Sequence, residues 1–354
     1  MSVSAVSSKL QFWSYRASTI LKSFKTLYTL PKDKVDAFLD SYVIYDHDWV
    51  DEKKLIQEMG PNYVQEIQKK LVDYYSVLNH LCSLGQVEKM YIPPTMDLSK
   101  SIIANQALFE KKMCKDLGLK SGQKVLDIGC GRGRVANHMA KISGASVVGM
   151  NIDPDQLESA RRFAKGTGMS EHCTFLRGDL NEIPYSFADE TFDNIYEIQC
   201  IFSLSKDLGK TFKEIHRLLK PGGRFACLEW ASLDAYNSND PHHADLMKKI
   251  KPLIGAIGTR SVKECDALLK KAGFEVLKNE NASLDGLQAP LIENADKFFT
   301  RLNATINFLV RCKALPAHFK VLFDRLTKDG NAFVEADRMK LVTSSHYFVA
   351  QKKG

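Results

Sequence analysis

Apolar positions change period along this chain, and the changes divide it. Between residues 31 and 92 they recur three and four apart, through Val35, Phe38, Leu39 and Tyr42 and again through Leu71, Tyr74, Tyr75 and Leu78, which predicts helices until Pro93-Pro94 interrupts them. A further helix is predicted over 102–117. Beyond Lys120-Ser121-Gly122, short apolar runs alternate with helical patterns, the order that builds a parallel sheet. The strands are expected at 124–128, 146–150, 174–177, 192–197, 224–229 and 274–278, with helices over 135–142, 154–165, 208–219 and 261–272. Lys220-Pro221-Gly222-Gly223 reads as a tight turn into a buried strand. Residues 283–343 then interrupt the alternation with helical, apolar-rich sequence, including Phe298, Phe299, Phe308, Phe319 and Phe323, before a last strand at 346–351. The expectation is an α/β fold in five parts: a basic amphipathic segment (1–30), a helical region (31–100), a sheet domain (101–282), a helical insertion (283–343) and a final strand (344–354). Helices before the first strand and an insertion before the last are placed to cap the carboxyl ends of the sheet, where open α/β sheets bind ligands.

Composition changes this picture little. The net charge is +7, but lysine and arginine are spread along the chain instead of grouped, so no nucleic-acid partner is expected. Eight scattered cysteines with no C-x-x-C pair point away from a metal site or a disulfide framework and toward a reducing compartment. No apolar run approaches the roughly 20 residues that span a bilayer. Residues 1–30 carry Lys9, Arg16, Lys22 and Lys25 without an acid, beside Leu10, Trp13, Ile20, Leu21, Phe24, Leu27 and Tyr28. That pattern suits a helix lying in a lipid headgroup region, a packed N-terminal arm, or a basic targeting presequence. A cytoplasmic protein, peripheral to the endoplasmic reticulum membrane through this segment, is expected; nothing in the sequence speaks to oligomeric state.

The chemistry begins at Val125-Leu126-Asp127-Ile128, a buried strand ending at an acid and followed by Gly129, Gly131 and Gly133. Glycine allows a tight turn and close approach of backbone to a ligand, and the helix that follows offers unpaired amides. A nicotinamide dinucleotide fingerprint would place its third glycine one residue later. The loop, the strand Val147-Val148-Gly149-Met150-Asn151, Gly178-Asp179, Phe192-Asp193 and Leu219-Lys220-Pro221-Gly222-Gly223 occur in that order. Together they resemble the class I methyltransferases, which have a Rossmann-like sheet and use S-adenosyl-L-methionine. The resemblance implies that Asp127 and Gly129, with Gly131 and Gly133, neighbour the methionyl end of that cofactor, that Asn151, Asp153 and Gln156 lie by the ribose, and that Asp179 and Leu180 face the adenine. Asn151 departs from the family, which often has an acid there.

Within that superfamily, residues from about 70 onward are similar to the sterol C-methyltransferases, through 145–177, Phe212-Lys213-Glu214-Ile215-His216-Arg217-Leu218-Leu219, Leu228-Glu229-Trp230 and Tyr236-Asn237-Ser238-Asn239-Asp240-Pro241. Enzymes of the family that alkylate the side chain at C24 carry Tyr-Glu-x-Gly-Trp-Gly, whereas this chain has Tyr74-Tyr75-Ser76-Val77-Leu78-Asn79 onward; and it has Gln199-Cys200-Ile201-Phe202 in place of an Ala-Thr-Cys-His run. Residues 79–94 with 251–259 resemble the nematode branch that methylates the sterol nucleus at C4, a step tied to dauer control. The resemblance implies a 4-desmethyl sterol substrate and no metal. Carbon methylation needs an electron-rich carbon held in line with the methyl donor and a group that receives a proton. Glu229, at the end of the fifth strand, is read as an acid/base or cation-stabilising group or as a structural carboxylate, and Glu197 as bordering both cofactor and acceptor. Trp230 offers a π face to a developing cation or belongs to the core. His80 and Tyr75 are candidates to hold a sterol oxygen, and the aromatic residues of the insertion are read as pocket or core.

Overall fold

The computed structural model describes residues 17–49, 51–85 and 87–354. Its centre is a seven-stranded sheet of order β3-β2-β1-β4-β5-β7-β6. The strands are β1 (Lys124–Ile128), β2 (Ser146–Asn151), β3 (Cys173–Arg177), β4 (Phe192–Ile198), β5 (Leu219–Ser232), β6 (Phe274–Asn281) and β7 (Val342–Lys352). Pairing is parallel from β3 to β5, and β7 runs antiparallel between β5 and β6. All seven fall within a few residues of the expected runs except β5, which begins five residues early. Lys220-Pro221-Gly222-Gly223 is not a turn ahead of that strand but a bulge inside it: Leu219 pairs with Phe192 and Arg224 with Asn194, and Gly222 takes φ +77° to absorb the extra residues.

The helices that sandwich the sheet follow from the alternation of its strands. Val125, Val147, Phe175 and Val349 point to one face, against α5 (Ile102–Leu117), α6 (Arg134–Ser143) and α7 (Pro154–Gly166). Leu126, Val148, Ile195 and Phe225 point to the other, against α9 (Leu208–Leu218) and α11 (Val262–Lys271). Ends are set by local chemistry. Asp153 caps α7 by accepting from the amides of Asp155 and Gln156, with Pro154 at the first helical position, and Asp240 does the same for α10 (Pro241–Ile254), a helix the periodicity did not predict because Pro252 lies inside it.

A separate core lies beyond the sheet. It joins the helix at 17–28, α2 (Lys32–Asp40), α3 (Glu52–Met59) and α4 (Tyr63–Leu84) to α12 (Ala289–Arg311) and α13 (Ala317–Thr327) of the insertion through Phe38, Leu71, Tyr74, Leu81, Phe319 and Phe323. The short α8 (Ile201–Leu204) and α14 (Gly330–Arg338) complete the chain. Phe319, Leu322 and Phe323 are therefore core, whereas Phe298 and Phe308 are exposed. Of the amphipathic segment, residues 1–16 lie outside the described residues. Over 17–28, Leu27 is buried and Ser23 meets His80, while Leu21, Phe24 and Tyr28 are exposed. No described helix is long and apolar enough to cross a membrane.

The insertion is tied to the sheet by Gln288. Its side-chain Nε2 donates to Pro93 O, while its Oε1 accepts from the amide and hydroxyl of Ser344 on β7. Asp337 of α14, 1% exposed, accepts from the amides of Gln288 and Ala289 at 2.8 and 2.7 Å and so caps α12 from a distance. Replacing Asp337 with Ala orphans two buried amides at about 1–3 kcal/mol each. The variant is expected to melt several degrees below the parent, a shift read by calorimetry; an unchanged melting temperature would show that water replaces the carboxylate without cost.

Candidate active site

The loop after β1 is shaped first by the protein's own packing. Gly129, Gly131 and Gly133 have φ of +72°, +51° and +69°. A Cβ on Gly129 would sit 2.4 Å from Cys200 Sγ, and one on Gly133 would lie 2.7 Å from Ala160 and Phe175, so neither position admits a side chain. The amides of Gly129 and Cys130 donate to Met150 O at 2.9 and 3.0 Å, so these two are spent within the protein. Arg132 leaves the loop altogether. Its guanidinium donates to Ser83 Oγ (2.6 Å), Val87 O (2.6 Å) and Glu88 O (3.0 Å), fastening the loop to the end of α4 and the segment after it.

The loop opens onto a cavity at the carboxyl edge of the sheet whose walls include Asp127, Gly129, Gly131, Asn151, Asp153, Gln156, Asp179 and Leu180. Strand ends β1, β2 and β3 therefore bring eight of the expected cofactor residues together; Gly133 lies behind the wall. Asp127 accepts from Tyr196 Oη at 3.0 Å, and burial pushes its carboxyl up to about 8. Asn151 donates to Gln156 Oε1 at 3.2 Å. Asp153 spends Oδ1 on its helix cap, but its Oδ2 is buried without a partner. A buried acceptor in a cavity wall with no partner among the described residues is the arrangement a ligand hydroxyl completes, so the residues present fit a nucleoside-bearing cofactor.

The opposite wall comes from Glu88, Lys89, Met90 and Tyr91, which belong to the stretch 79–94 noted above for its resemblance but were not among the expected cofactor residues. Glu110, wholly buried on α5, holds this segment: it accepts from Lys89 Nζ (2.6 Å) and Tyr91 Oη (2.7 Å), and pairs with His138. A glutamate inside an amphipathic helix reads as a solvent-facing residue, which is why this anchor left no sequence signal.

A second, largely apolar cavity of about 270 Å³ adjoins the first. Tyr75, Met90, Tyr91 and Gln199 line both. The rest of its wall comes from α4, α10 and the insertion, including Leu78, Pro252, Leu291 and Phe299. Tyr75 has no hydrogen-bond partner for its hydroxyl among the described residues, and burial raises its ionisation far above the ordinary phenol range. Gln199, at φ +53°, is stapled across the junction: Oε1 accepts from Ile92 N (3.0 Å), and Nε2 donates to Ile92 O (2.7 Å) and Ser344 O (2.6 Å).

The other expected catalytic residues lie elsewhere. Glu197 and Glu229, both 0% exposed, line neither cavity. Glu197 accepts from the amides of Cys200 and Ile201, and Glu229 from those of Cys200, Phe202 and Trp230, so together they cap α8 just behind the junction. Trp230 packs on Phe333 and is core. His80 turns outward to Ser23 Oγ at 3.1 Å; burial and Arg132 lower its pKa to about 4, so it is neutral at physiological pH. Among the described residues no group of His, Cys, Asp and Glu is placed to hold a metal ion.

Comparison with known proteins agrees with this geometry. A profile described as a methyltransferase domain matches residues 119–278. A sterol 24-C-methyltransferase of Gibberella zeae is 31% identical over 317 residues, 84% of this chain and 81% of that one. A sterol 24-C-methyltransferase of Aspergillus fumigatus is 36% identical over 202 residues, a match spanning 57% of this chain and half of that enzyme. Among solved structures, the geranyl diphosphate C-methyltransferase of Streptomyces coelicolor superposes with TM-score 0.55 at 15% identity, covering 76% of this chain and 91% of that one.

The paired glutamates make stability depend on pH. Burial raises both carboxyls, Glu229 to about 7 from 4.5, and in Glu197 the neighbouring Glu229 adds to the rise. The folded state thus binds more protons than the unfolded one, so the contribution of the pair is complete below the ordinary glutamate range; the part due to Glu229 is lost as pH rises through about 7, and the part due to Glu197 is lost at higher pH. Glu197→Gln keeps a neutral donor beside Glu229. The fall in melting temperature between pH 5 and 8 is expected to flatten in this variant; parallel curves for both proteins would mean the pair shares no proton.

Proposed function

The chain belongs to the sterol C-methyltransferase family of class I S-adenosylmethionine-dependent methyltransferases, and from that premise we propose that it methylates the sterol nucleus at C4, giving a 4-methyl sterol. One observation carries the choice of carbon. The two stretches that differ from the side-chain-alkylating members, around Tyr75 and around Gln199, supply two of the four residues on the wall common to both cavities. What distinguishes this chain thus lies where acceptor carbon and methyl donor would meet.

The cofactor supplies an electrophilic methyl group on a sulfonium. Asp153 would take a ribose hydroxyl on Oδ2, with Asn151 and Gln156 beside it, Asp179 and Leu180 would border the adenine, and Asp127 and Gly129 the methionyl end. Tyr75 Oη, unpartnered among the described residues at the junction, is the candidate to hydrogen-bond a sterol oxygen. Glu197 and Glu229 act as positioning residues: by holding α8 they fix Gln199 and Cys200 in the wall. His80 supports α4 against the helix at 17–28. Exposed Leu21, Phe24 and Tyr28 beside Lys22 and Lys25 would rest on the cytoplasmic face of an endoplasmic reticulum membrane, from which an apolar acceptor is drawn.

The relatives favour a second reading, alkylation at C24 of the side chain, the position given in their names. Incubating the protein with isotopically labelled S-adenosylmethionine, a 4-desmethyl sterol and phosphoethanolamine, then locating the label by NMR and mass spectrometry, separates the two. Label at C4 is expected; label on the side chain would replace the first reading with the second, and label only on phosphobases would end both. Asp153→Asn keeps the helix cap and removes the free acceptor, so calorimetric affinity for S-adenosylmethionine is expected to fall about tenfold, one hydrogen bond's worth.

A further inference from the structure

The acceptor cavity is walled in part by two helices that come into contact. Tyr75, Leu78 and Cys82 line it from successive turns of α4, and Leu291, Ala295 and Phe299 from successive turns of α12. Both series start on the cofactor side. Tyr75 borders both cavities, and α12 begins beside Gln288, whose Oε1 holds Ser344, the residue whose carbonyl accepts from Gln199 at the junction. From Gln288 to Phe299 the helix rises roughly 16 Å. The two series also end together. The ring of Phe299 lies against Gly85, at the end of α4, so closely that a Cβ on Gly85 would fall 2.5 Å from its Cε1 and 2.7 Å from its Cζ. Gly85 has φ −73°, an ordinary backbone conformation, so it is the ring that excludes a side chain there. The backbone around it is held on both sides. The Gly85 amide donates to Leu81 O, Val87 N donates to Cys82 O, and the Arg132 guanidinium donates to Ser83 Oγ and Val87 O. Gly85 is therefore a fixed notch, and the Phe299 ring is the part of the contact that can move.

We propose that Phe299, seated in the notch at Gly85, is the end stop of the acceptor cavity and sets the length of acceptor that the enzyme takes. This rests on the sterol reading above. With the ring in the notch, the cavity keeps its full run from the junction to Phe299. A methyl group at position 85 expels the ring, and the space open to the ring is the cavity that it lines, so the run shortens. Removing the ring instead extends the run to the notch itself. Phe299 meets the end of the acceptor opposite the carbon that is methylated. For methylation at C4 that end is the sterol side chain, and for methylation of the side chain it is the 3-hydroxyl end of the nucleus.

The test measures displacement of a fluorescent sterol by 4-desmethyl sterols with a truncated, an ordinary and an extended side chain, and by the 3-O-methyl ether of the ordinary one, with S-adenosylmethionine affinity followed in parallel by calorimetry. The wild type is expected to bind the first two and to discriminate against the extended one. In Gly85→Ala the ordinary sterol is expected to weaken about tenfold, the scale of one overpacked methyl group, while the truncated one is retained. In Phe299→Ala the extended sterol is expected to gain by about the same factor, and the double variant is expected to regain the ordinary sterol, because the new methyl then has no ring to expel. Cofactor affinity is expected to stay at the wild-type value throughout. Full affinity for the ordinary sterol in Gly85→Ala, or no recovery in the double variant, would overturn the proposal. So would a loss of cofactor affinity in Gly85→Ala, which would mean that α4 yields and the ring does not. Should Gly85→Ala fail to fold, Phe299→Ala decides alone: no gain for either enlarged sterol overturns the end stop. A gain for the 3-O-methyl ether in place of the extended side chain keeps the end stop and overturns the C4 reading. Failure of the wild type to bind any of these sterols would overturn the sterol reading itself, and the proposal with it.

Discussion

A buried carboxyl group without a cation must be supplied with hydrogen-bond donors, and the carboxyl edge of this sheet carries three. Asp127, Glu197 and Glu229 stand near the ends of adjacent strands, and each accepts from donors close by. Asp127 has a tyrosine hydroxyl, while the two glutamates share the amides at the start of α8. Because those amides can be reached only if the chain turns sharply after β4, the same demand forces Gln199 into a left-handed conformation and brings Cys200 against Gly129. The turn, the absence of a side chain at Gly129 and the floor between the two cavities are one solution to one electrostatic problem.

That connection separates what the sequence discloses from what it hides. The strands are legible because both faces of the sheet are covered, leaving nearly continuous apolar runs such as Val125-Leu126 and Val147-Val148. The glycine loop and Asp153, Asn151 and Asp179 are legible because each closes a strand. Glu197 and Glu229 were visible for the same reason and their role was not: an acid at a strand end reads as chemistry, and nothing in Cys200-Ile201-Phe202-Ser203 announces a one-turn helix in need of a cap. The acceptor cavity was hidden more completely. Its wall is assembled from segments more than 200 residues apart, and residues such as Asp296 and Arg325, which line it, look like ordinary exposed charges on amphipathic helices until the helices are packed.

The insertion and the N-terminal helices share a hydrophobic core that belongs to neither alone. The sheet supplies the cofactor side of the site from strand ends held rigidly by their neighbours, whereas the acceptor side is built by helices from two distant parts of the chain. The two sides of the site therefore rest on different hydrophobic cores.

Arg132 crosses that division. It belongs to the glycine loop, yet its hydrogen bonds end on α4 and the segment leading to Tyr91, which also form the acceptor wall. The two cavities are therefore mechanically in series. A shift of the loop large enough to carry Arg132 would also disturb the groups it holds on the helix that carries Tyr75, and any coupling so produced would act equally in both directions. One buried side chain is thus the shortest material link between the floor of one chamber and the wall of the other.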